Sequence, residues 1–358
     1  MTAPTSDESV NAPFGVIDLF AGPGGLDVAA RHLGVPVVAG IEWDKDACAT
    51  RVAAGLPTEP GDVRKFGPSD FPSATVLTGG PPCQTYTVAG GGAGRRDLDD
   101  TIGLAKRMAA REDVSAHLAG LDDERTGLVL EPLRWALAAI DSGNPYEAIV
   151  LEQVQAALPV WVVMRELLEA EGYSVAPPAV LHTEQFGVPQ TRRRAILIAR
   201  RSTEAVMPRP THRVYRKSEE RHEGDRALLP WVPMGEVLGQ SRRYPFSVVS
   251  NYGTGGNPKD RGRRLSTEPS ATVTGKISRN RVWHGNHTEI EMDRFSNAEA
   301  GLLQTFPADY PWAGNAIPQQ IGNAIPPRLG VHVLAAALGL DDETVDRALA
   351  VTEWTAIG

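Results

Sequence analysis

Six short apolar runs, GVIDLF, VPVVAGIE, ATVLTGG, YEAIVLEQV, YSVAPPAVL and RAILIAR, punctuate the first 200 residues of the chain. Between them lie LDVAARHLG, DACATRVAAG, GLVLEPLRWALAAID and PVWVVMRELLEAEG, in which apolar residues recur at three- and four-residue intervals. Short runs read as strands and the longer period as helices. Strands alternating with helices imply an α/β fold, a doubly wound, mostly parallel sheet covered on both faces. At 358 residues, 42% of them apolar, the chain can bury a sizeable core, and one large domain with a smaller companion is expected.

The texture changes after the large domain, residues 14–200. Residues 201–285 are rich in Arg, Pro, Gly and Ser, with short strand candidates (FSVVSNY, SATVTG) and no long helical period, which predicts a small, irregular or β-rich second domain. Helical patterns, NAEAGLLQTF and RLGVHVLAAALGL, return within 286–345 and are apolar enough to pack back on the first domain. Residues 1–13 read as a disordered leader and 346–358 as a tail. The net charge of −8 argues at first against an anionic partner, yet residues 190–285 hold 20 Lys and Arg against 8 Asp and Glu, so the rest of the chain carries −20. A localised anionic partner would produce such asymmetry, although a solvated basic surface is the plain alternative.

The N-terminus has neither a basic region nor an apolar stretch, and no apolar run reaches the roughly 18 residues of a membrane span. A soluble, cytoplasmic protein is expected. Cys48 and Cys83 are the two cysteines, too few for a disulfide framework or a Cys-rich zinc site. Cys83 stands in GGPPCQTYTVAG, straight after Pro81 and Pro82. Prolines end a strand, so this thiol is displayed at a strand's end rather than packed inside one.

Other strand ends carry polar groups too. FAGPGG, with Gly22, Gly24 and Gly25, follows the first strand and allows a tight turn whose amides can approach a ligand, though its spacing is not the six-residue dinucleotide fingerprint. Glu42 ends the second strand, 24 residues after Asp18, where a ribose diol would be held. Asp62 falls at a third strand end and Glu152 at a fifth; a carboxyl after the apolar run AIVL is partly desolvated, which suits it to act as an acid. In GVPQTRRRAILIAR, strand alternation places Arg192 and Arg194 on one face and Arg193 on the other. Paired guanidinium groups suit a phosphate or a base carbonyl. GNAIP occurs twice, at Gly314–Pro318 and Gly322–Pro326.

These motifs closely resemble those of the DNA (cytosine-5) methyltransferases: DLFAGPGG at 18–25, GIEWD at 40–44, GDV at 61–63, GGPPCQ at 79–84, LEQV at 151–154, FGVPQTRRR at 186–194, EPSATVTG at 268–275 and QQIGNAIPP at 319–327. They stand in the family's order over about residues 14–340. The resemblance implies a Rossmann-like fold dependent on S-adenosylmethionine, with residues 201–285 as target-recognition domain and residues 201–265 gripping DNA. It implies that Phe20, Gly22, Gly24, Glu42, Trp43, Asp62, Val63, Pro82, Asn323 and Ile325 bind the cofactor, which leaves as S-adenosylhomocysteine, and that no metal takes part. Asn323 and Ile325 belong to the second GNAIP copy; the first is left as a loop without a role.

The same resemblance makes Cys83 the nucleophile, Glu152 the acid that protonates ring nitrogen 3, Arg194 the holder of the exocyclic oxygen and Arg192 its helper. Gln84, Arg125, Gln190, Arg242, Arg243, Arg264 and Lys276 are the candidates for contact with double-stranded DNA. A monomer is expected, with a cognate restriction endonuclease as a separate protein. The chain departs from the family at Glu152-Gln153-Val154, where Glu-Asn-Val is usual, so that the amide bracing the cysteine loop is one methylene longer. It departs again in an Asp-x-Arg-x-Gly element at Asp123–Gly127, about 40 residues after Cys83, which makes residues 95–121 a helical insertion. That insertion either adds DNA contacts through Arg95, Arg96, Lys106, Arg107 and Arg111 or packs outside, the latter being favoured. The alternatives are a tRNA cytosine-5 methyltransferase, a catalytically silent DNA-binding relative, and a nicotinamide dehydrogenase that would leave PPCQ and QTRRR unexplained.

Overall fold

The computed structural model describes residues 14–82, 93–120, 127–217, 219–239, 241–242, 245–250, 262–285 and 290–354, with the side chains of 93–97 left aside. The leader and the candidates Cys83, Gln84, Arg125 and Arg243 lie outside the described residues. The main sheet is built from β1 (Val16–Leu19), β2 (Val37–Glu42), β3 (Thr58–Pro60), β4 (Val76–Gly79), β5 (Ala148–Val154), β6 (Ser174–Val175), β7 (Ala179–His182) and β8 (Arg193–Arg200). Its order is β3-β2-β1-β4-β5-β8, with β6 and β7 both on the far side of β8. The first five strands are parallel and β8 runs antiparallel to β5. Pro177 and Pro178, which have no N–H to donate, separate β6 from β7 on this outer edge.

Both faces of the sheet are covered, which is why its strands read as continuous apolar runs. Ile17, Leu19, Leu77, Ile149, Leu151 and Leu197 face the helices Glu131–Asp141 and Leu158–Ala170. Val16, Val76, Val150, Ile196 and Ile198 face the helices Gly25–His32 and Pro327–Leu338. On this second face alternation continues to Asp18, Thr78, Glu152 and Arg194, so its apolar surface ends in polar side chains, all toward the carboxyl edge of the parallel strands.

The helix Ala93–Ala109 lies on the first face, where Leu104, Ala105 and Met108 join the core. Just beyond its end, Arg111 pairs with Asp141 at 2.7 Å and Glu171 at 2.6 Å, at the last turns of the two neighbouring helices. This helix thus packs against the outside of the sheet, and Arg111 is engaged away from the carboxyl edge.

The second unit holds a four-stranded antiparallel sheet: β9 (Phe246–Val249), β10 (Arg263–Leu265), β11 (Arg281–His284) and β12 (Glu291–Met292), in the order β10-β9-β11-β12. Phe246, Val248 and Val282 pack on Ala300 and Leu303 of the helix Asn297–Leu303 and on Ile321 of the helix Ile317–Asn323. The sheet thus continues past residue 285. The expected tail begins inside the helix Asp342–Leu349, and Trp354 is buried with its Nε1 donating to the Ala54 carbonyl.

Two motif residues turn out to stitch these units together. Gln190 is fully buried; its Nε2 donates to the Leu303 carbonyl at 3.0 Å and its Oε1 accepts from Val273 N at 2.8 Å. Arg192, 1% exposed, donates to the carbonyls of Val273 (3.0 Å), Gly322 (3.0 Å) and Ala324 (3.1 Å). The expectations that Gln190 meets DNA and that Arg192 assists Arg194 are corrected accordingly. The strand begins at Arg193, so alternation does not reach Arg192, and the preceding segment runs through the interior between the two units. Arg192→Met strips three buried carbonyls of a charged donor and is expected to lower unfolding stability by about 3 kcal/mol in urea titrations. A variant as stable as the parent would remove Arg192 from this bracing role.

Candidate active site

The site begins where β1 ends. Phe20, Gly22 and Gly24 all have positive φ (59°, 55° and 102°), so the chain turns sharply before the helix Gly25–His32. For Phe20 this is a strained conformation of the kind found at functional sites. A Cβ on Gly24 would stand 2.4 Å from Leu56 Cδ1, so that residue seats the helix start under its neighbours. A Cβ on Gly22 would meet nothing within 4 Å, so the turn is open above that position.

Beneath the turn lies a buried ionic cluster. Arg51, from the helix Lys45–Ala53, pairs with Asp27 at 2.6 Å, both side chains being fully buried, and also donates to the Pro57 carbonyl at 3.0 Å. Burial disfavours the Arg51 cation, but Asp27 holds its pKa above the ordinary value. Asp18 accepts from Thr78 Oγ1 at 2.6 Å; burial, and then the Asp27 charge, hold its carboxyl well above the usual range.

Glu42, at the end of β2, is tied to the turn: its Oε2 accepts from Gly22 N at 2.8 Å, while Oε1 accepts from Trp43 N (2.9 Å) and Asp44 N (2.8 Å). Burial pushes the Glu42 carboxyl up, against these three donors. Trp43 beside it is 58% exposed. Asp62 caps a short 3₁₀ turn through Arg64 N and binds the Arg64 guanidinium at 2.6 Å; the Arg64 hydrogen bonds hold its carboxyl below the usual range.

A cavity of about 620 Å³ opens along this edge, inside the range of small-molecule sites. Phe20, Gly22, Glu42, Trp43, Asp62, Val63, Pro82, Asn323 and Ile325 line it, and so do Glu152 and Arg194. Nine of the ten cofactor candidates and two catalytic ones thus share one space, which runs from the β3 side of the sheet to β8. Gly24 is not part of the wall; it supports the turn from below.

Glu152 and Arg194 are neighbours across the β5–β8 ladder, Arg194 Nε lying 2.6 Å from Glu152 Oε1, with side chains 9% and 14% exposed respectively. The strand continues two residues past Glu152, whose next neighbour Gln153 donates from Nε2 to the Pro81 carbonyl. The longer amide therefore still reaches the segment leading to Cys83, and Val154 N fixes its other end at 2.6 Å.

The recognition candidates separate. Arg242 is a correction: 8% exposed, it is held by Glu299 at 2.7 Å and lies over the Phe295 ring at 5.0 Å, because it fastens the loop before β9 to the helix Asn297–Leu303. Arg264 stacks on Tyr215 at 4.3 Å and donates to Thr191 Oγ1 at 3.3 Å. Lys276 is exposed, in the turn that packs on the helix Ile317–Asn323. Asp18 and Thr78 join the site as polar residues on an otherwise apolar strand face, a signal the sequence carries. The first GNAIP copy also has a place: Ala316 lines the cavity, and its N donates to Asp46 at 3.1 Å. Among the described residues no group of His, Cys, Asp and Glu could hold a metal ion, and no helix is long and apolar enough to cross a membrane.

Comparison with known proteins follows the same outline. M.NgoBI of Neisseria gonorrhoeae, a Type II methyltransferase, is 28% identical over 229 residues, which span 63% of this chain and 63% of that protein. M.NgoFVII of the same organism, also a Type II methyltransferase, is 26% identical over 90% of this chain and 86% of its own. The crystal structure of the S. pombe Dnmt2 methyltransferase superposes with a TM-score of 0.58 over 91% of this chain and 98% of that one, at 16% identity, a likeness of fold. Residues 14–106 and 116–338 match the profile of the C-5 cytosine-specific DNA methylases, and the chain belongs to that family.

Proposed function

We propose that the protein transfers a methyl group from S-adenosylmethionine to carbon 5 of a cytosine flipped out of a specific double-stranded DNA sequence, through a covalent adduct at Cys83. The observation that carries this reading is the shared cavity: Glu42, Trp43 and Asp62 line it toward β3, the Glu152–Arg194 pair lines it toward β8, and Pro81 and Pro82 in its wall lead to Cys83. The residues fit the cofactor. A carboxylate offers about four acceptor positions. Backbone amides take three of those on Glu42, leaving one for a ribose hydroxyl. Exposed Trp43 offers an apolar face to a purine, and the turn is open above Gly22.

S-adenosylmethionine, when held there, supplies an electrophilic methyl group and leaves as S-adenosylhomocysteine. Carbon 5 of cytosine is a weak nucleophile, so the Cys83 thiolate adds to carbon 6 while the Glu152 carboxyl gives a proton to ring nitrogen 3. The electron pair then resides on carbon 5 as in an enamine, and Arg194 donates to the exocyclic oxygen. Once carbon 5 carries the methyl group, water removes its proton, the Cys83–carbon 6 bond breaks, and Glu152 recovers its proton as 5-methylcytosine is released. The target atom is inaccessible in a stacked duplex, so the base must leave the helix. Lys276 and Arg264 are the described candidates for holding the backbone it leaves behind.

Bisulfite sequencing of DNA from cells expressing the protein is expected to show 5-methylcytosine at one recurrent sequence, and an unmodified genome would sink the reading. Cys83→Ser is expected to abolish product while still binding S-adenosylmethionine, and the parent protein should form a denaturation-resistant adduct with DNA carrying 5-fluorocytosine at the target. Absence of that adduct from an active enzyme would exclude the addition–elimination route. Glu152→Gln should slow methylation by about 10²–10⁴-fold. Lys276→Ala should weaken DNA binding and reduce the salt slope by about one, with S-adenosylmethionine affinity unchanged.

A further inference from the structure

Gln319 takes no part in the steps above, yet it sits between the cofactor side and the recognition side of the molecule. Its Nε2 donates to Asn323 Oδ1 at 2.8 Å, one turn further along the helix Ile317–Asn323, and both residues line the cavity. With Oδ1 accepting from Gln319, the Asn323 carboxamide is oriented so that its NH₂ points away from Gln319. Asn323 Nδ2 makes no hydrogen bond to a described residue, so it is the free branch of this side chain. Gln320, the next residue along, cannot substitute for Gln319: it is 4% exposed and donates to the Ala313 carbonyl at 2.8 Å.

On its other side Gln319 fills the place of a missing side chain. A Cβ on Gly275 would stand 2.1 Å from Gln319 Oε1 and 2.7 Å from its Cδ. A Cβ on Gly322 of the same helix would stand 2.2 Å from Gly275 N, so turn and helix meet backbone to backbone. With Oε1 lodged at Gly275, Nε2 is the branch left for Asn323. The turn therefore sets the orientation of the Gln319 amide, and that amide sets the orientation of Asn323. Exposed Lys276 is the next residue of the same turn.

We propose that Gln319 is a positioning residue that presents the Asn323 NH₂ to an acceptor oxygen of the cofactor and links that donor to the Thr274–Lys276 turn of the recognition unit. This rests on the cavity's binding S-adenosylmethionine. Calorimetric titration of the full chain with S-adenosylmethionine, without DNA, tests it. Gln319→Ala frees the Asn323 amide to rotate and is expected to weaken binding about fivefold, the worth of one ordinary hydrogen bond. Gln319→Glu keeps the shape, but an ionised carboxylate only accepts, so Asn323 turns its NH₂ toward it and gives Oδ1 to the cofactor; binding is expected to fall more than tenfold. A space-filling role for Gln319 predicts the reverse order.

Gly275→Ala displaces Gln319 and is expected to weaken binding about fivefold as well. Added to Gln319→Ala it should cost little more, since both remove the same contact. If the parent binds S-adenosylmethionine and Gln319→Glu binds as well as or better than Gln319→Ala, the assignment is overturned while the reading of the cavity stands. If the parent shows no binding, that reading itself fails and this assignment with it.

Discussion

Arg51 is the interaction on which the amino-terminal half of the site depends. One guanidinium joins the helix Gly25–His32 through Asp27, its own helix, and the entrance to β3 through Pro57 and Thr58. It also lies flat across β2, where a Cβ on Gly40 would stand 1.8 Å from its Nη2. A buried ion pair gains little over an apolar substitute, and removing one partner is strongly destabilising, so such pairs are better understood as fixing an arrangement. What Arg51 fixes is the relation between the glycine turn, which begins the helix bearing Asp27, and Glu42, which ends the strand it crosses. Asp18, protonation-prone beside Asp27, closes the cluster against Thr78. The Glu42–Gly22 hydrogen bond is the visible result of that alignment.

At the other end of the cavity the ordering device is the ladder between β5 and β8. Antiparallel pairing sets Glu152 opposite Ile196 and Val154 opposite Arg194, so the two ionic side chains emerge two residues apart on one face and meet. Each offsets part of the other's desolvation there. The adjoining Gln153–Pro81 bond carries the same rigidity to the chain that precedes Cys83.

Much of this was legible in the sequence because period and position suffice for it. The alternation of short apolar runs with helical segments specified the sheet, and acids at successive strand ends located Glu42 and Asp62 at its carboxyl edge. Basic residues were harder to read. The sequence shows that Gln190, Arg192 and Arg242 are polar but not whether they face water, a nucleic acid or a buried carbonyl, and all three face inward. Much of the positive charge of residues 190–285 is similarly engaged within the protein, as in Arg221 with Glu236 and Arg281 with Glu291, so a charge count overstates what is offered to a partner. The contact of Gln319 with Gly275 joins positions 44 apart in the chain and leaves no periodic trace.

The break between β6 and β7 bears on more than the path of one strand. The outer edge of the sheet is interrupted by Pro177 and Pro178, and the opposite edge is the three-residue β3, which closes on Pro60. An incoming strand needs a run of unpaired N–H and C=O groups to pair with. Both margins are too short or too interrupted to supply one, so the sheet resists end-to-end growth and is poorly suited to act as a template for β-aggregation.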